Sequence, residues 1–261
     1  MADILTEIVA HKRKEVERQQ AEIGIDSLYE QAGELHKVIS FREHLEASTT
    51  GIIAEFKRKS PSKGWIHRDA DSSAIPKAYA GAGATALSIL TDEKYFGGRL
   101  DDLRTARNLV SIPLLRKDFI VSEYQLYQAR AAGADAVLLI AANLSERECR
   151  TLARIAHELG LETLLEVHRE SELDYLCDDI DVLGVNNRHL GTFVTEVSTS
   201  FNLAAQLPRS ITHISESGIS NPETVLELRK VGFRGFLMGE HFMREPNPAE
   251  ALQTFIEALA V

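Results

Sequence analysis

The chain is poor in cysteine and has no long apolar run. Only Cys149 and Cys177 are present among 261 residues, far apart along the chain and outside any metal-ligand spacing. Two such thiols indicate reduced structural cysteines of a cytoplasmic protein, and they exclude a disulfide framework. The longest apolar run covers residues 136–142, whereas a membrane-spanning helix needs roughly 20 apolar residues. We therefore expect a cytoplasmic protein with no metal site and no membrane partner.

Positive charge is also scarce. The chain has 29 basic and 39 acidic residues, a formal net charge of -10. An acidic chain is a poor general binder of nucleic acid or of anionic membranes, so an anionic ligand would need a local cluster of positive groups. Residues 1–20 have apolar positions at helical spacing interrupted by charges, and we expect no signal peptide there.

Several common ligand motifs are missing as well. No Gly-Lys-Ser/Thr phosphate loop occurs, and Gly97-Gly98 predicts a turn rather than a dinucleotide fingerprint. The histidines show no metal-ligand spacing. His168 and His213 are therefore interpreted as ordinary surface or core histidines.

What the chain does contain is eight short apolar runs separated by amphipathic segments. They cover residues 51–57, 85–90, 113–118, 135–140, 163–167, 181–186, 211–216 and 235–239. Several follow a glycine that ends a helix-like stretch, as in the αβ connections of parallel sheets. The pattern predicts an α/β fold, a closed (β/α)₈ TIM barrel in a single domain over 1–261, with residues 1–50 as an N-terminal helical extension. A doubly wound sheet is the alternative, although it usually has fewer strands.

Ionisable and amide side chains follow five of these runs. In a (β/α)₈ barrel the carboxyl ends of the strands form the active site, so these side chains are expected to meet at one mouth. Any one of them could instead form a structural ion pair at the rim, but the whole ring favours function. The candidates are Glu55, Lys57, Lys117, Asp118, Glu166, His168, Asn186, Asn187, Arg188, Glu216, Ser217, Gly239 and Glu240.

These residue types suit acid–base chemistry on an anionic substrate. Lysines could donate protons or hold a carboxylate, and glutamates could act as bases or lower the cost of burying the lysines. Glu55 and Lys57 alternate along an extended run and share one face. Small residues after the seventh and eighth runs are typical of the phosphate site of such barrels. Arg58 and Lys59 are expected to face outward or cap the following loop.

Six segments carry a resemblance to a known family. They are IIAEFKRKSPSKG at 52–64, DEKYFGG at 92–98, PLLRKDFIV at 113–121, GVNNRHL at 184–190, ISESGIS at 214–220 and FLMGEHFM at 236–243. In this order the chain resembles indole-3-glycerol phosphate synthase of tryptophan biosynthesis. The resemblance implies a carbon–carbon lyase that closes a ring on 1-(2-carboxyphenylamino)-1-deoxyribulose 5-phosphate, then releases carbon dioxide and water. It implies no metal and no organic cofactor.

The resemblance also implies roles for individual residues. By this resemblance, Lys117 is the general acid that protonates the substrate ketone. Glu166 is its partner in proton transfer. Lys57 resembles the group that holds the aromatic carboxylate, and Glu55 a carboxylate that orients the lysines or the anilino nitrogen. The implied substrate binders are Ser60, Asn186, Arg188 and Glu216, with Phe96, Phe119, Leu138, Leu190 and Met238 as an apolar wall. The implied phosphate-binding residues are Ser217, Gly218, Gly239 and Glu240.

One departure and two alternatives accompany this interpretation. Many relatives have serine where Glu240 stands, so its side chain is expected to turn away and leave only the backbone N–H for phosphate. A phosphoribosylanthranilate isomerase-like barrel is one alternative, but it would use a cysteine–aspartate pair. A non-catalytic barrel subunit of a tryptophan-pathway complex is the other, and other enzymes of that pathway are possible partners.

Overall fold

The barrel predicted from the eight apolar runs is confirmed. The computed structural model describes residues 4–32, 35–189 and 191–259. Its eight parallel strands close in the order β1-β10-β9-β8-β7-β6-β5-β4. The strands are β1 Ile52–Phe56, β4 Ala86–Leu90, β5 Leu114–Lys117, β6 Ala136–Ile140, β7 Glu162–Val167, β8 Val182–Asn186, β9 Thr212–Glu216 and β10 Gly235–Met238. A small hairpin, β2 Lys59–Ser60 and β3 Gly64–Trp65, follows β1.

Helices surround the barrel and precede it. The helices are α1 Ile4–Glu22, α2 Ile25–Ala32, α3 Phe41–Ala47, α4 Ile75–Gly81, α5 Glu93–Phe96, α6 Leu100–Arg107, α7 Glu123–Ala132, α8 Glu146–Glu158, α9 Ser198–Leu203, α10 Pro222–Lys230, α11 Glu240–Met243 and α12 Pro248–Leu259. Short 3₁₀ helices span Ala141–Asn143 and Glu170–Tyr175. Helix α10 has Asn221 as N-cap and Pro222 in its first turn. Within the described part of the chain, no helix has the length and apolarity that a bilayer crossing requires.

The barrel interior is built by alternate residues of the strands. Because side chains alternate between the two faces of a strand, every second residue points into the barrel and the others pack against the helices. One apolar cluster takes inward positions from all eight strands: Ile53, Ala86, Leu115, Ala136, Leu138, Leu164, Val182, Ile214 and Leu237. Two residues beyond Ile53, Leu115, Leu164 and Ile214 stand Glu55, Lys117, Glu166 and Glu216. The period of two therefore carries the charged side chains onto the same inward face, at the carboxyl end.

The residues before β1 cover the amino-terminal end of the barrel. Phe41 and Leu45 of α3 are fully buried in the interior cluster. Polar contacts fix the same segment to the starts of strands, since Ser40 Oγ donates to Glu162 Oε1 at 2.5 Å and Thr212 Oγ1 donates to Glu46 Oε1 at 2.6 Å. The mouth at the opposite end is thereby the open end of the barrel.

Helix α1 is joined to the barrel by a buried lysine. Lys12 is 1% exposed, and its Nζ lies 2.9 Å from Asp92 Oδ2 and 3.1 Å from Asp118 Oδ1. Asp118 is also bound by Arg116 Nη2 at 3.0 Å. Asp92 caps α5, the helix that carries Phe96, and Asp118 directly follows Lys117. Lys12 thus neutralises two buried carboxylates that lie beside the mouth.

Replacing Lys12 by methionine is expected to destabilise the fold. The change keeps most of the apolar stem but leaves Asp92 and Asp118 short of a counter-charge, and breaking a buried pair on one side costs about 3–5 kcal/mol. Urea denaturation at pH 7 measures the free energy of unfolding. Arg18→Met is the matched control, because the Arg18–Glu22 pair is 69% and 66% exposed and such surface pairs contribute about 0–1 kcal/mol. Equal losses in the two variants would contradict the assigned role of Lys12.

Candidate active site

The predicted site residues meet in one cavity at the carboxyl ends of the strands. The cavity has a volume of about 460 Å³. Its lining includes Glu55, Lys57, Phe96, Lys117, Phe119, Leu138, Glu166, Asn186, Arg188, Glu216, Ser217, Gly218, Met238, Gly239 and Glu240. These residues come from seven of the strands, from the segments that follow them and from helix α5, so only the closed barrel brings them together.

Among the described residues, the predicted Ser60, His168 and Asn187 are not part of that lining. Ser60 lies in the β2–β3 hairpin, where its hydroxyl accepts a hydrogen bond from the Lys63 backbone N–H at 3.2 Å. The hairpin places Lys63, rather than Ser60, on the cavity wall. Leu190 lies outside the described residues. The proposed substrate-binding roles of Ser60 and Leu190 stay predictions.

Lys117 is held between two buried glutamates. Its Nζ lies 3.2 Å from Glu166 Oε2 and 3.5 Å from Glu216 Oε2, and both carboxylates are 1% exposed. On the neighbouring side of the mouth, Lys57 Nζ lies 2.6 Å from Glu55 Oε1. The base of the cavity therefore contains three carboxylates and two ammonium groups in two contacting sets, an arrangement that can pass protons to and from a bound molecule.

The environment separates the protonation states of these groups. Burial lowers the pKa of Lys117, but the Glu166, Glu216 and Glu55 carboxylates outweigh it, and the net pKa lies above the usual value. Burial raises the pKa of Glu216 to about 8, with further repulsion from Glu166 and Glu55 against the attraction of Lys117. Burial also acts on Glu166, but the charge of Lys117 prevails and holds its pKa below the ordinary value. At neutral pH Lys117 is thus a cation and Glu166 an anion, while Glu216 carries a proton.

Two glycines make room for two of the carboxylates. A Cβ at Gly184 would lie 2.3 Å from Glu216 Oε1, and a Cβ at Gly239 would lie 2.3 Å from Glu55 Oε1. Contacts that short are not tolerated, so a side chain at either position would displace the carboxylate behind it. The sequence analysis did not identify Gly184, because its role depends on the Glu216 side chain of the neighbouring strand β9, which occupies the space beside it.

The turn after β9 has a left-handed backbone at two successive residues. Ser217 has φ 67° and Gly218 has φ 79°, and such a conformation is uncommon for serine. Asn187 holds the turn, since its Nδ2 donates to Ser217 O and to Ser215 Oγ, both at 3.0 Å. Backbone strain maintained by a buried amide at a cavity wall is typical of functional sites.

The carboxylate of Glu240 is turned toward cations of the cavity rim. Its Oε2 accepts from Arg188 Nη2 at 3.4 Å, and its Oε1 lies 3.8 Å from Lys63 Nζ. These pairs are partly exposed, so they add little stability but fix where the side chain points. Glu240 also lines the cavity, and its phosphate-binding role through the backbone N–H stays a prediction.

An apolar wall faces the charged base. The rings of Phe96 and Phe119 lie 6.0 Å apart at 41°, and Leu138 and Met238 continue the wall. Sequence reasoning missed Phe193, which also lines the cavity and has φ 59°. It stands in the loop after β8, where no periodic pattern marks a side chain as facing inward.

Two side chains near the site have partners that the sequence analysis did not name. Arg58 does not face outward: its guanidinium donates to both oxygens of Asp102, at 2.6 and 2.9 Å, and lies over the Phe56 ring. Its Nε donates to Ala70 O in the following loop, which agrees with the expected capping of that loop. His168 Nε2 lies 3.5 Å from Glu166 Oε1.

The fold and the cavity together define an enzyme of the (β/α)₈-barrel class, with acid–base groups at the catalytic end of the strands. Structural comparison supports the fold. The α subunit of tryptophan synthase from Legionella pneumophila aligns with a TM-score of 0.62 at 14% identity, covering 85% of this chain and 97% of that one. The α subunit from Pyrococcus furiosus aligns with a TM-score of 0.60 at 16% identity, covering 81% and 98%.

Sequence comparison is more specific. The sequence model of the family described as indole-3-glycerol phosphate synthase matches residues 5–255. Indole-3-glycerol phosphate synthase of Bacteroides thetaiotaomicron is 58% identical, over 99% of this chain and 100% of that protein. The enzyme of the same name from Acidithiobacillus ferrooxidans is 42% identical, over 97% and 98%. The chain belongs to the indole-3-glycerol phosphate synthase family.

The raised pKa of Glu216 predicts a stability that depends on pH. A carboxyl group with an ordinary pKa of 4.5 in the unfolded chain and about 8 in the fold binds a proton more tightly when folded. Its contribution is fully present below pH 4.5 and is lost as the pH rises through 8. Urea denaturation between pH 5 and 8 should show a steeper decline for the wild type than for Glu216→Gln. If the free energy of unfolding declined equally with pH in the two proteins, the raised pKa of Glu216 would be contradicted.

Proposed function

We propose that the protein converts 1-(2-carboxyphenylamino)-1-deoxyribulose 5-phosphate to indole-3-glycerol phosphate, with release of carbon dioxide and water. The single observation that carries the proposal is the contact of Lys117 with Glu166 and Glu216 at the mouth, in a chain with 58% identity to a protein of that name. The substrate is a small phosphorylated molecule, and its step belongs to tryptophan biosynthesis.

Ring closure is the step that Lys117 assists. The ring carbon that bears the carboxylate attacks the ketone carbon, and negative charge develops on the ketone oxygen. Lys117 donates a proton to that oxygen, and a cation held in advance at this place lowers the barrier. The Glu166 carboxylate keeps Lys117 charged, and Glu166 and Glu216 together direct its ammonium into the cavity. General acid catalysis of this kind contributes about a hundred- to ten-thousandfold.

Lys57 binds the carboxylate that leaves as carbon dioxide. Its ammonium is held by Glu55 at 2.6 Å, and Gly239 leaves the space in which that glutamate lies. The bond between ring carbon and carboxylate breaks, and its electron pair restores the aromatic ring. The apolar wall of Phe96, Phe119 and Leu138 packs on the benzene ring and excludes water from it.

Dehydration completes the indole. The hydroxyl formed from the ketone leaves with a second proton, while the neighbouring methylene loses one proton to a base. Glu166, which lies on Lys117 and faces the cavity, is the group we assign to these transfers. Asn186 and Arg188 offer donors to the substrate hydroxyls, and the backbone of Ser217, Gly218 and Gly239 to the phosphate.

The alternatives have less support. An isomerase of the cysteine–aspartate type would need a thiol at the mouth, and neither Cys149 nor Cys177 is among the described residues that line it. Burial raises the pKa of the Cys149 thiol to about 12, which leaves it unreactive. A non-catalytic subunit has no need of a buried lysine–glutamate cluster. Association with other tryptophan-pathway enzymes stays a prediction.

Lys117→Ala is expected to abolish turnover while leaving binding in place. Its ammonium acts in the transition state, so kcat should fall by about a hundred- to ten-thousandfold, with a much smaller change in the affinity for product. Indole fluorescence follows turnover, and calorimetry with indole-3-glycerol phosphate follows binding.

The control for this experiment is Lys77→Ala. Lys77 is exposed on α4, and its loss should leave both quantities unchanged. Turnover of Lys117→Ala within threefold of the wild type would withdraw the proton-donor role from Lys117. Failure of the wild type to form any indole at saturating substrate would contradict the proposed function itself.

A further inference from the structure

His168 is a buried titratable group that the mechanism above does not use. It directly follows β7, two residues after Glu166, so both side chains share the inward face at the mouth. Its Nε2 lies 3.5 Å from Glu166 Oε1, whereas Glu166 Oε2 is the oxygen that contacts Lys117. His168 does not line the cavity, and its side chain is 11% exposed. It therefore stands behind Glu166 as seen from the substrate.

The contacts of His168 continue away from the cavity. Its backbone N–H donates to Glu172 Oε2 at 2.7 Å, and its Nδ1 lies 3.7 Å from the same oxygen. Glu172 Oε1 accepts from Arg169 Nε at 2.9 Å, and the Arg169 side chain is 72% exposed. A row of charged groups thus runs from Lys117 through Glu166, His168 and Glu172 to a side chain in solvent.

Three polar atoms of this row make no geometrically complete hydrogen bond within the described residues. Glu166 Oε1 and both ring nitrogens of His168 are buried without a hydrogen-bond partner. Buried polar atoms without partners are costly, and such groups in a native fold call for a functional explanation. A small rotation of the imidazole would shorten the 3.5 Å approach to a hydrogen bond, as catalytic contacts in ligand-free enzymes often tighten on binding.

The proposed reaction needs a proton from solvent in every turnover. Lys117 gives one proton to the ketone oxygen, a second proton leaves with the hydroxyl as water, and one proton returns from the methylene. The balance is one proton consumed, because the ionised carboxylate departs as carbon dioxide and leaves its electron pair on the ring. With substrate filling the mouth, that proton needs a route that avoids the cavity.

We propose that His168 supplies this proton by relaying it from the solvent side to Glu166. Protonated at Nε2, the imidazolium donates to Glu166 Oε1, and Glu166 passes a proton to the leaving hydroxyl. The neutral ring that remains keeps its proton at Nδ1, so His168 regains the lost proton at Nε2, when the imidazole turns that nitrogen toward the side of Glu172 between turnovers. His168 is a positioning and relay residue, since it touches Glu166 and not the substrate, and this role rests on the proposed function.

The charges around His168 favour its protonated form. Burial lowers the pKa of His168, but Glu172, Glu166 and Glu216 together outweigh it, so the net pKa is raised. These three carboxylates are the charged groups that shift it, from the following 3₁₀ helix, from β7 itself and from β9. The donor is present below the His168 pKa and is lost above it, so kcat should decline as the pH rises through that value.

The first test is His168→Gln, which keeps a polar side chain but cannot titrate. We expect kcat to fall by about ten- to a hundredfold, less than for loss of a direct acid, with KM within twofold. The decline of kcat at high pH should disappear from the profile.

In His168→Ala, added imidazole should restore kcat in proportion to the imidazolium concentration. His213→Gln is the matched control, because His213 is a buried histidine at the opposite end of a strand, and its kcat should stay unchanged.

Glu172→Gln is the second variant and leaves the imidazole in place. Removing the carboxylate should lower the His168 pKa, so the decline of kcat should move to lower pH, which a merely structural role would not produce. A His168→Gln enzyme with wild-type kcat overturns the proposal, as does an unmoved profile in Glu172→Gln. A wild type that forms no indole would instead contradict the proposed function, so the two failures are distinguishable.

Discussion

The enclosure of one ammonium group by carboxylates is the interaction on which the site depends. Lys117 is buried at the mouth, and a lysine without partners there would lose its proton. The Glu166 carboxylate prevents this, and the pair of glutamates in turn requires Lys117, because two adjacent buried carboxylates cannot both be ionised at little cost. Glu216 therefore keeps a proton while Glu166 does not. Glu166 and Glu216 have the same side chain, and they differ in protonation only because their surroundings in the barrel differ.

Only a rigid frame can hold these groups in contact. The closed sheet fixes the strand ends that carry them, and glycines at 184 and 239 leave the volume that two of the carboxylates occupy. Outside the barrel, Lys12 of α1 binds Asp92 and Asp118, which flank the strand end of Lys117 and the helix of Phe96. The helices that precede the barrel are thus connected to the mouth as well as to the opposite end. Lys12 lies between two buried carboxylates just as Lys117 does.

The electrostatic row through His168 extends this logic toward solvent. The proposed reaction takes up a proton when carbon dioxide leaves the carboxylate, and we propose that this proton arrives from the side of His168. Glu166 has one oxygen on Lys117 and one facing His168, so it stands between the reacting molecule and the protein side of the mouth. Because Glu166 lies between Lys117 and His168, its two oxygens have different neighbours, and we propose that they have different functions.

The sequence by itself determined the barrel, because eight apolar runs with glycine-ended helices between them leave few other ways to bury their surface. It also determined which faces of the strands carry Glu55, Lys57, Lys117, Glu166 and Glu216, since the alternation of side chains is local. The partners were decided only by the tertiary structure. Arg58 pairs with Asp102, Lys117 with Glu166 and Glu216, and Lys12 with Asp92 and Asp118, across separations that no local pattern encodes. Ion pairing and pKa depend on distances through space and on burial, and both exist only once the strands have closed.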